Sequence, residues 1–175
     1  MSEGTGIPVV SVVGKSDSGK TTLMERLIAH LADRGYRVAT VKHHVHDFDI
    51  DVPGKDSWRH GRAGAVVTLV SSPAKLGMVR QTDHEASLEE LLELAGDVDI
   101  LLTEGYRRAG STRIEVSRRA RSTELVCDPA ELFALVTDDD ELRCEGVPRF
   151  GLDDAAGLAD LVETTFLASR VTDGD

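Results

Sequence analysis

The feature that most constrains the fold is a glycine-rich turn between an apolar run and an amphipathic segment. Residues 9–13 are nearly all valine, and residues 14–21 read Gly-Lys-Ser-Asp-Ser-Gly-Lys-Thr. This is a G-x-x-x-x-G-K-T pattern. A P-loop requires a strand before this pattern and a helix after it, and both are predicted here. Backbone N–H groups of such a turn surround a polyphosphate, and the positive end of the following helix points at it. The alternative is a chance Gly/Ser-rich turn, but the two flanks favour a nucleotide-binding protein.

The residue types within the turn predict specific roles. Lys20 is expected to neutralise the β and γ phosphate oxygens, and the Thr21 hydroxyl is expected to hold a Mg²⁺ that bridges them. Gly14 and Gly19 suit positions where a Cβ would block close approach of the backbone. The predicted nucleotide-binding residues of the turn are Gly14, Lys15, Ser16, Asp17, Ser18, Gly19, Lys20, Thr21 and Thr22.

Length and composition predict one soluble domain spanning residues 1–175. The chain is 41% hydrophobic and 29% charged, and no apolar run approaches the ~20 residues that cross a bilayer. The beginning of the sequence lacks a basic region followed by an apolar core, so we expect a cytoplasmic protein. A formal net charge of −11 argues against nonspecific binding to nucleic acid or to anionic membranes. Cys127 and Cys144 form no disulfide framework and are expected to be reduced.

Strand-like and helix-like segments alternate along the chain, which predicts an α/β fold with a doubly wound, mainly parallel sheet. A helix is predicted from the turn to Gly35, and a polar, acidic loop is predicted over residues 42–56. The predicted strands cover residues 7–13, 36–41, 65–70, 75–81, 99–103, 113–117 and 132–136. The other predicted helices cover residues 57–65, 87–94 and 153–167.

Two carboxylates are candidates for the metal side of the site. Glu104 follows the apolar strand 100–103, and ligands of open α/β sheets bind at the carboxyl ends of their strands. It can hold the water shell of the metal or orient an attacking water, or it can be a surface glutamate that starts a turn. Asp51 lies in the acidic loop before Pro53-Gly54, and a switch loop can bring such a residue to the metal when the γ-phosphate is present. A solvated acidic loop is the alternative for Asp51.

Asp138 ends the strand at 132–136 and is a candidate for recognising the nucleobase. A carboxylate can accept from N1 and N2 of guanine, whereas adenine offers no such pair of donors. The chain has no complete Asn-Lys-x-Asp motif, and a turn cap is the alternative.

The histidines of the acidic loop permit a different site. His43, His44 and His46 can bind Zn²⁺ or Ni²⁺, although no cysteine lies nearby to complete a closed site. Histidines in a polar loop near phosphates also donate hydrogen bonds to them. Arg107 and Arg108 are candidates for holding a second anionic ligand.

Several segments, taken together, resemble the MobB family, the adaptor protein of molybdopterin-guanine dinucleotide biosynthesis. They run in order from Val9 to Thr137. The combination of a P-loop with a His-rich loop that ends in Asp-x-x-Gly-Lys-Asp-Ser is more specific than either part. The matching segments are residues 14–22, 42–51, 54–57, 63–65, 103–106 and 114–116.

The resemblance implies a P-loop NTPase fold of the signal-recognition and MinD class that binds GTP with Mg²⁺ and hydrolyses it weakly at most. It implies a homodimer that associates with the molybdopterin guanylyltransferase (MobA-like), with molybdopterin or a molybdoenzyme as a further partner. On this basis Lys20, Glu104 and Asp51 are the expected catalytic residues, and Thr21, Asp51 and Glu104 are the expected metal ligands. Lys15 departs from the family pattern, since MinD-like ATPases carry a lysine there that reaches the partner's nucleotide across a dimer.

Two other functions are compatible with the residues. A metallochaperone GTPase would load Zn²⁺ or Ni²⁺ through the His-rich loop. A small-molecule kinase would clamp its acceptor with Arg107 and Arg108, but it also needs a lid segment, and the sequence has no long Arg-rich insertion.

Overall fold

The structure is a computed structural model that describes residues 6–44, 48–106 and 112–168. The chain divides into two compact units, Met1–His43 with Glu89–Asp175 and, separately, His44–Leu88. The expectation of one domain over residues 1–175 stays a prediction.

The elements alternate as the sequence predicts. The strands are β1 (Val9–Val13), β2 (Val38–Lys42), β3 (Val67–Ser71), β4 (Leu76–Arg80), β5 (Ile100–Glu104), β6 (Thr112–Ser117), β7 (Leu132–Thr137) and β8 (Arg149–Phe150). The helices are α1 (Lys20–Asp33), α2 (Asp56–Arg62), α3 (Leu88–Ala95) and α4 (Ala155–Val162). A 3₁₀ turn covers Pro129–Glu131, and a π-helical turn over Glu163–Leu167 continues α4.

The first unit contains a six-stranded parallel sheet with the order β2-β5-β1-β6-β7-β8. The central strand β1 therefore lies between β5 and β6, with Val12 opposite Glu104 and Val13 opposite Glu115. Because all six strands run the same way, their carboxyl ends meet at one edge. The predicted α/β class with a doubly wound, mainly parallel sheet is confirmed.

The core of this unit lies between one face of the sheet and the helices α1 and α4. Leucines recur at helical spacing on α1, and Leu23, Leu27 and Leu31 are buried, which explains why residues 20–33 form an amphipathic helix. Within the described ranges, no helix has the length and apolar character needed to span a bilayer. The largest buried core side chains include Val10, Val12, Leu27, Leu31, Ile100, Leu102, Ile114 and Leu158.

The second unit contains α2 and an antiparallel ribbon made of β3 and β4. Both strands were expected, but they pair with each other and form a sheet of their own. The physical reason is the short connection between them, which the Ser72 N–H closes by donating to the Lys75 carbonyl (2.8 Å), since consecutive strands with a tight turn form a hairpin. None of the described residues between 48 and 88 is buried.

Two differences from the predicted elements concern the end of the first unit. Strand β8 is only two residues long, too short for any periodic signal. The helix predicted over residues 153–167 begins at Ala155, because the Asp154 carboxylate caps it by accepting from the Gly157 N–H (3.0 Å). It then widens at Glu163, where the Ala168 N–H donates to the Glu163 carbonyl (2.9 Å).

A carboxylate at this point connects α1 to the end of α4. Tyr36 Oη donates to Glu163 Oε1 (2.8 Å), and Arg34 Nη1 donates to Glu163 Oε2 (2.5 Å). The Tyr36 hydrogen bond and then the Arg34 hydrogen bond hold the pKa of Glu163 below its ordinary value of 4.5. A carboxyl whose pKa is lowered by folding stabilises the protein above its unfolded pKa, and this contribution is lost as the pH falls through the folded pKa.

We therefore expect Glu163→Gln to lower the melting temperature near neutral pH, and the difference from wild type to shrink as the pH falls below about 4.5. Thermal unfolding at a series of pH values measures this. Glu93→Gln is the matched control, because Glu93 is exposed on α3 and removing its charge should leave the melting temperature nearly unchanged. A Glu163→Gln effect that is the same at pH 7 and at pH 3.5 would contradict the interpretation.

Candidate functional site

The turn after β1 lies directly against the end of β6. Gly14 has φ +146°, and a Cβ built there would lie 2.3 Å from the Val116 carbonyl oxygen and 2.9 Å from Ser18 Oγ. Ser18 is buried, and its Oγ has no hydrogen-bond partner in the described structure. Asp17 adopts φ 58°, which a short polar side chain tolerates. The backbone is thus folded into the tight loop that the glycine spacing predicts.

The loop leads into the uncapped start of α1. Gly19 is the N-cap residue with φ 101°, and no side chain caps the helix. The first turn of this 14-residue helix contains no acidic residue. Its first N–H groups and the positive end of its dipole are therefore directed at the space in front of the loop, where an anion is favoured.

Lys20 lies across the loop. Its Nζ donates to the carbonyl oxygens of Gly14 (3.2 Å) and Lys15 (2.8 Å). An ammonium held by two carbonyls at the mouth of the loop is positioned to exchange them for phosphate oxygens.

Thr21 and Glu104 come together as the sequence predicts. The Thr21 hydroxyl donates to Glu104 Oε1 (2.9 Å), and Lys42 Nζ lies 3.8 Å from the same oxygen. Directly below, Ser11 Oγ and Thr103 Oγ1 are 2.7 Å apart in a buried hydrogen bond between β1 and β5. The pairing of these strands therefore places the end of β5 beside the start of α1.

These oxygens fit the chemistry of Mg²⁺, which prefers hydroxyl, carboxylate and phosphate oxygen ligands. The side chain of Glu104 is only 14% exposed, so its carboxylate is held in place and partly shielded from water. Thr21 and Glu104 would hold the ion directly or through its water shell, and the ion would neutralise phosphate charge.

The segment after β6 is attached to the loop through two of the predicted binding residues. Lys15 Nζ donates to Ser122 Oγ (2.6 Å) and lies 3.9 Å from Glu124 Oε2. Asp17 forms an ion pair with Arg121. The side chain of Lys15 is therefore directed at its own chain in this structure.

A buried carboxylate fixes the same segment from below. Glu115 on β6 is buried and accepts from the N–H groups of Val126 (2.7 Å) and Cys127 (3.0 Å). Glu115 is not among the residues for which the sequence predicts a role. The sequence Arg-Ile-Glu-Val-Ser could have indicated such a role. Strands of a parallel sheet are buried on both faces, and a charged side chain on a buried strand needs hydrogen-bond partners.

Asp138 lies at the end of β7, and its Oδ1 accepts from the Arg119 N–H (2.7 Å). This contact joins the turn after β7 to the turn after β6, which is the capping role considered as the alternative. Recognition of guanine by Asp138 stays a prediction.

Asp51 belongs to the second unit. Its Oδ1 accepts from Ser57 Oγ (2.7 Å) and from the Val52 N–H (3.1 Å). The Lys55 N–H donates to the Val52 carbonyl (3.1 Å) across a turn in which Gly54 has φ +85°, so the Pro-Gly pair turns the chain as expected. The catalytic and metal roles of Asp51 stay predictions.

The structure does not assemble a histidine metal site from the residues it describes. No group of three His, Cys, Asp or Glu side chains in the described ranges has the geometry to hold a metal ion. His43 contacts the Tyr106 ring edge-on, with 5.8 Å between ring centroids. His46 of the predicted cluster lies outside the described residues, as do Arg107 and Arg108 of the predicted anion site.

Comparison with known proteins identifies relatives over most of the chain. The family model MobB, molybdopterin guanine dinucleotide synthesis protein B, matches residues 9–138. The molybdopterin-guanine dinucleotide biosynthesis adapter protein of Escherichia coli (strain K12) is 35% identical over 165 residues, which cover 90% of this chain and 93% of that protein. The crystal structure of Bacillus subtilis MobB matches with a TM-score of 0.73 at 29% identity, covering 91% of this chain and 98% of that one. A crystal structure of molybdopterin-guanine biosynthesis protein B matches with a TM-score of 0.68 at 32% identity, covering 90% of this chain and 99% of that one.

The close approach at Gly14 generates a stability prediction. We expect Gly14→Ala to destabilise the protein by about 3 kcal/mol or more, because the methyl group collides with a backbone carbonyl that cannot move without disturbing β6. Gly35→Ala is the matched control. Gly35 also has positive φ (+92°) but nothing lies within 4 Å, so only the backbone strain of about 1–2 kcal/mol should appear. Urea denaturation measures both, and equal losses would contradict the steric explanation.

Proposed function

The chain belongs to the MobB family, and from this premise we propose that it is a cytoplasmic, GTP-binding adapter in molybdopterin-guanine dinucleotide biosynthesis. It binds GTP with Mg²⁺ at the loop of residues 14–22 and hydrolyses it slowly at most. It acts as a homodimer and associates with the guanylyltransferase that attaches GMP to molybdopterin, with molybdopterin or a molybdoenzyme as a further partner. The names of its relatives, which are adapters of this pathway, support the pathway assignment.

The observation that supports nucleotide binding is the arrangement of Lys20, Thr21 and Glu104 around the uncapped start of α1. Lys20 supplies a positive charge at the loop mouth, where its two carbonyl contacts are exchangeable. Thr21 and Glu104 supply adjacent oxygens for Mg²⁺. The positive charges of Lys20, of Mg²⁺ and of the helix dipole thereby compensate the negative charge of the phosphates.

Slow hydrolysis is consistent with the position of the available carboxylate. Glu104 is engaged by Thr21 and approached by Lys42, which places it on the metal side of the loop. A carboxylate that is used for the metal is not free to orient the attacking water. A role in binding and partner association therefore fits this site better than rapid turnover.

We expect Lys20→Ala to weaken GTP binding at least about tenfold, because each charge-assisted hydrogen bond contributes about 1.5–3 kcal/mol. Titration calorimetry with GTP and with ATP, in Mg²⁺ and in EDTA, measures the affinity, the preference for guanine and the dependence on metal. Lys75→Ala is the control, because it removes the same positive charge from the turn between β3 and β4, outside the phosphate loop. Unchanged binding of GTP by Lys20→Ala, or a preference for ATP in the wild type, would refute the proposal.

The homodimer is supported by the apolar ribbon of the second unit. Leu69 pairs with Met78, so their side chains share a face, and Leu76 lies on the same face two residues from Met78. These three side chains are 60%, 43% and 71% exposed. The opposite face carries Val70, which is 55% exposed. An isolated two-stranded ribbon that is apolar on both faces is marginally stable, and a second copy of the chain supplies an identical apolar ribbon to cover it.

Leu69→Asp is therefore expected to shift the protein from dimer to monomer, since a carboxylate cannot be buried unpaired in an apolar interface. Analytical ultracentrifugation at several concentrations measures the distribution. Leu94→Asp is the matched control, because Leu94 is a similarly exposed leucine (52%) on α3, outside the ribbon. A monomeric wild type, or a Leu69→Asp variant that remains dimeric, would exclude the ribbon as the interface.

A further inference from the structure

A small cleft adjoins the phosphate loop on the side of β6 and β7. It encloses about 60 Å³ at the carboxyl ends of these strands, beside the first turn of α1. Its floor is apolar, and its polar groups come from both the helix and the turn after β6. Its lining includes Gly19, Thr22, Arg26, Arg118 and Asp153.

Arg118 is the distinctive member of this group. Its side chain is exposed, and Nη2 lies 3.6 Å from the point that a Cβ on Gly19 would occupy. In the described part of the chain Arg118 makes no side-chain hydrogen bond or ion pair. Its neighbours differ, since Arg26 pairs with Asp153 (2.5 Å) and Arg121 pairs with Asp17.

The electrostatic surroundings of Arg118 include the positive end of α1, which favours an anion nearby. The guanidinium lies at the positive end of α1, whose first turn already carries Lys20 and no acidic residue. The chain has 31 acidic and 20 basic residues, so carboxylates for pairing are abundant elsewhere. A cation in this place is explained if its partner is an anion that the protein binds.

The turn that carries Arg118 is held firmly. The Arg118 carbonyl accepts from the N–H groups of Arg121 (2.8 Å) and Ser122 (3.0 Å), which closes the turn. The next residue, Arg119, donates its N–H to Asp138, and Ser122 accepts from Lys15 of the loop. The guanidinium therefore starts from a fixed backbone beside Gly19, so binding has to order the Arg118 side chain but not the turn that carries it.

We infer that Arg118 binds a phosphate on the nucleoside side of the nucleotide, one that is shared by di- and triphosphates. This inference rests on the proposed function. Lys20 and Thr21 serve the terminal phosphates, whereas Arg118 lies on the side of Gly19 that faces the cleft. A guanidinium forms paired hydrogen bonds with phosphate oxygens, and this contact is independent of the base.

The test compares the affinities of wild type, Arg118→Ala, Arg118→Lys and Arg119→Ala for GTP, GDP and ATP by titration calorimetry. We expect Arg118→Ala to weaken all three by a similar factor of about 10 to 100, the loss of a charge-assisted contact. Arg118→Lys should recover part of the affinity, because it restores the charge without the paired geometry. Arg119→Ala removes an equal charge one residue away and should bind like wild type.

Three results would overturn the inference. A loss confined to GTP would assign Arg118 to the γ-phosphate, and a loss for GTP and GDP but not ATP would assign it to the base. Wild-type affinity in Arg118→Ala would exclude any contact. In each case the wild type still binds GTP and the proposed function stands, whereas a wild type that binds no nucleotide would refute both. Because Arg118 is exposed, its variants should unfold at the wild-type temperature, which a melting experiment without nucleotide checks.

Discussion

The geometry of this protein depends on the close approach of the loop backbone to the end of β6. Gly14 occupies a position where any side chain would collide with the Val116 carbonyl. This contact holds the loop against the sheet and places the start of α1 at the edge where the parallel strands end. The Thr21–Glu104 hydrogen bond and the position of Arg118 beside Gly19 follow from that placement. This steric constraint and the pairing of β1 with β5 together determine which side chains can meet in front of the helix.

The loop and the turn after β6 carry basic residues in a chain whose net charge is −11. Two of them pair with acidic residues of the same region, Arg121 with Asp17 and Lys15 with Glu124. Arg118 lies beside Gly19 at the positive end of α1. A positive group at this position attracts a small anion, whereas the acidity of the whole chain disfavours binding of large polyanions such as nucleic acids.

Local sequence patterns were sufficient for the parts of the structure that depend on neighbouring residues. The loop, the amphipathic helix after it and the position of Glu104 at the end of a buried strand all follow from spacing within short windows. The partners of Glu115 could not be predicted, because they depend on how the segment after β6 folds back onto that strand. The position of Arg118 could not be predicted, because it depends on which strand becomes the neighbour of β1. The ribbon was missed for a related reason. An apolar run has the same sequence pattern whether its strand joins the central sheet or pairs with the next strand in a hairpin. The short turn at residues 72–75 is the feature that favours the hairpin.

The absence of any buried side chain among the described residues 48–88 affects how this region becomes ordered. Apolar area that stays in water contributes no hydrophobic free energy to offset the conformational entropy of ordering the backbone. A surface that covers the apolar side chains of this region would add that stability. Where a second copy of the chain supplies the surface, as proposed above, ordering of the region depends on protein concentration. At low concentration the strand edges of the ribbon would then stay open to proteases and to aggregation.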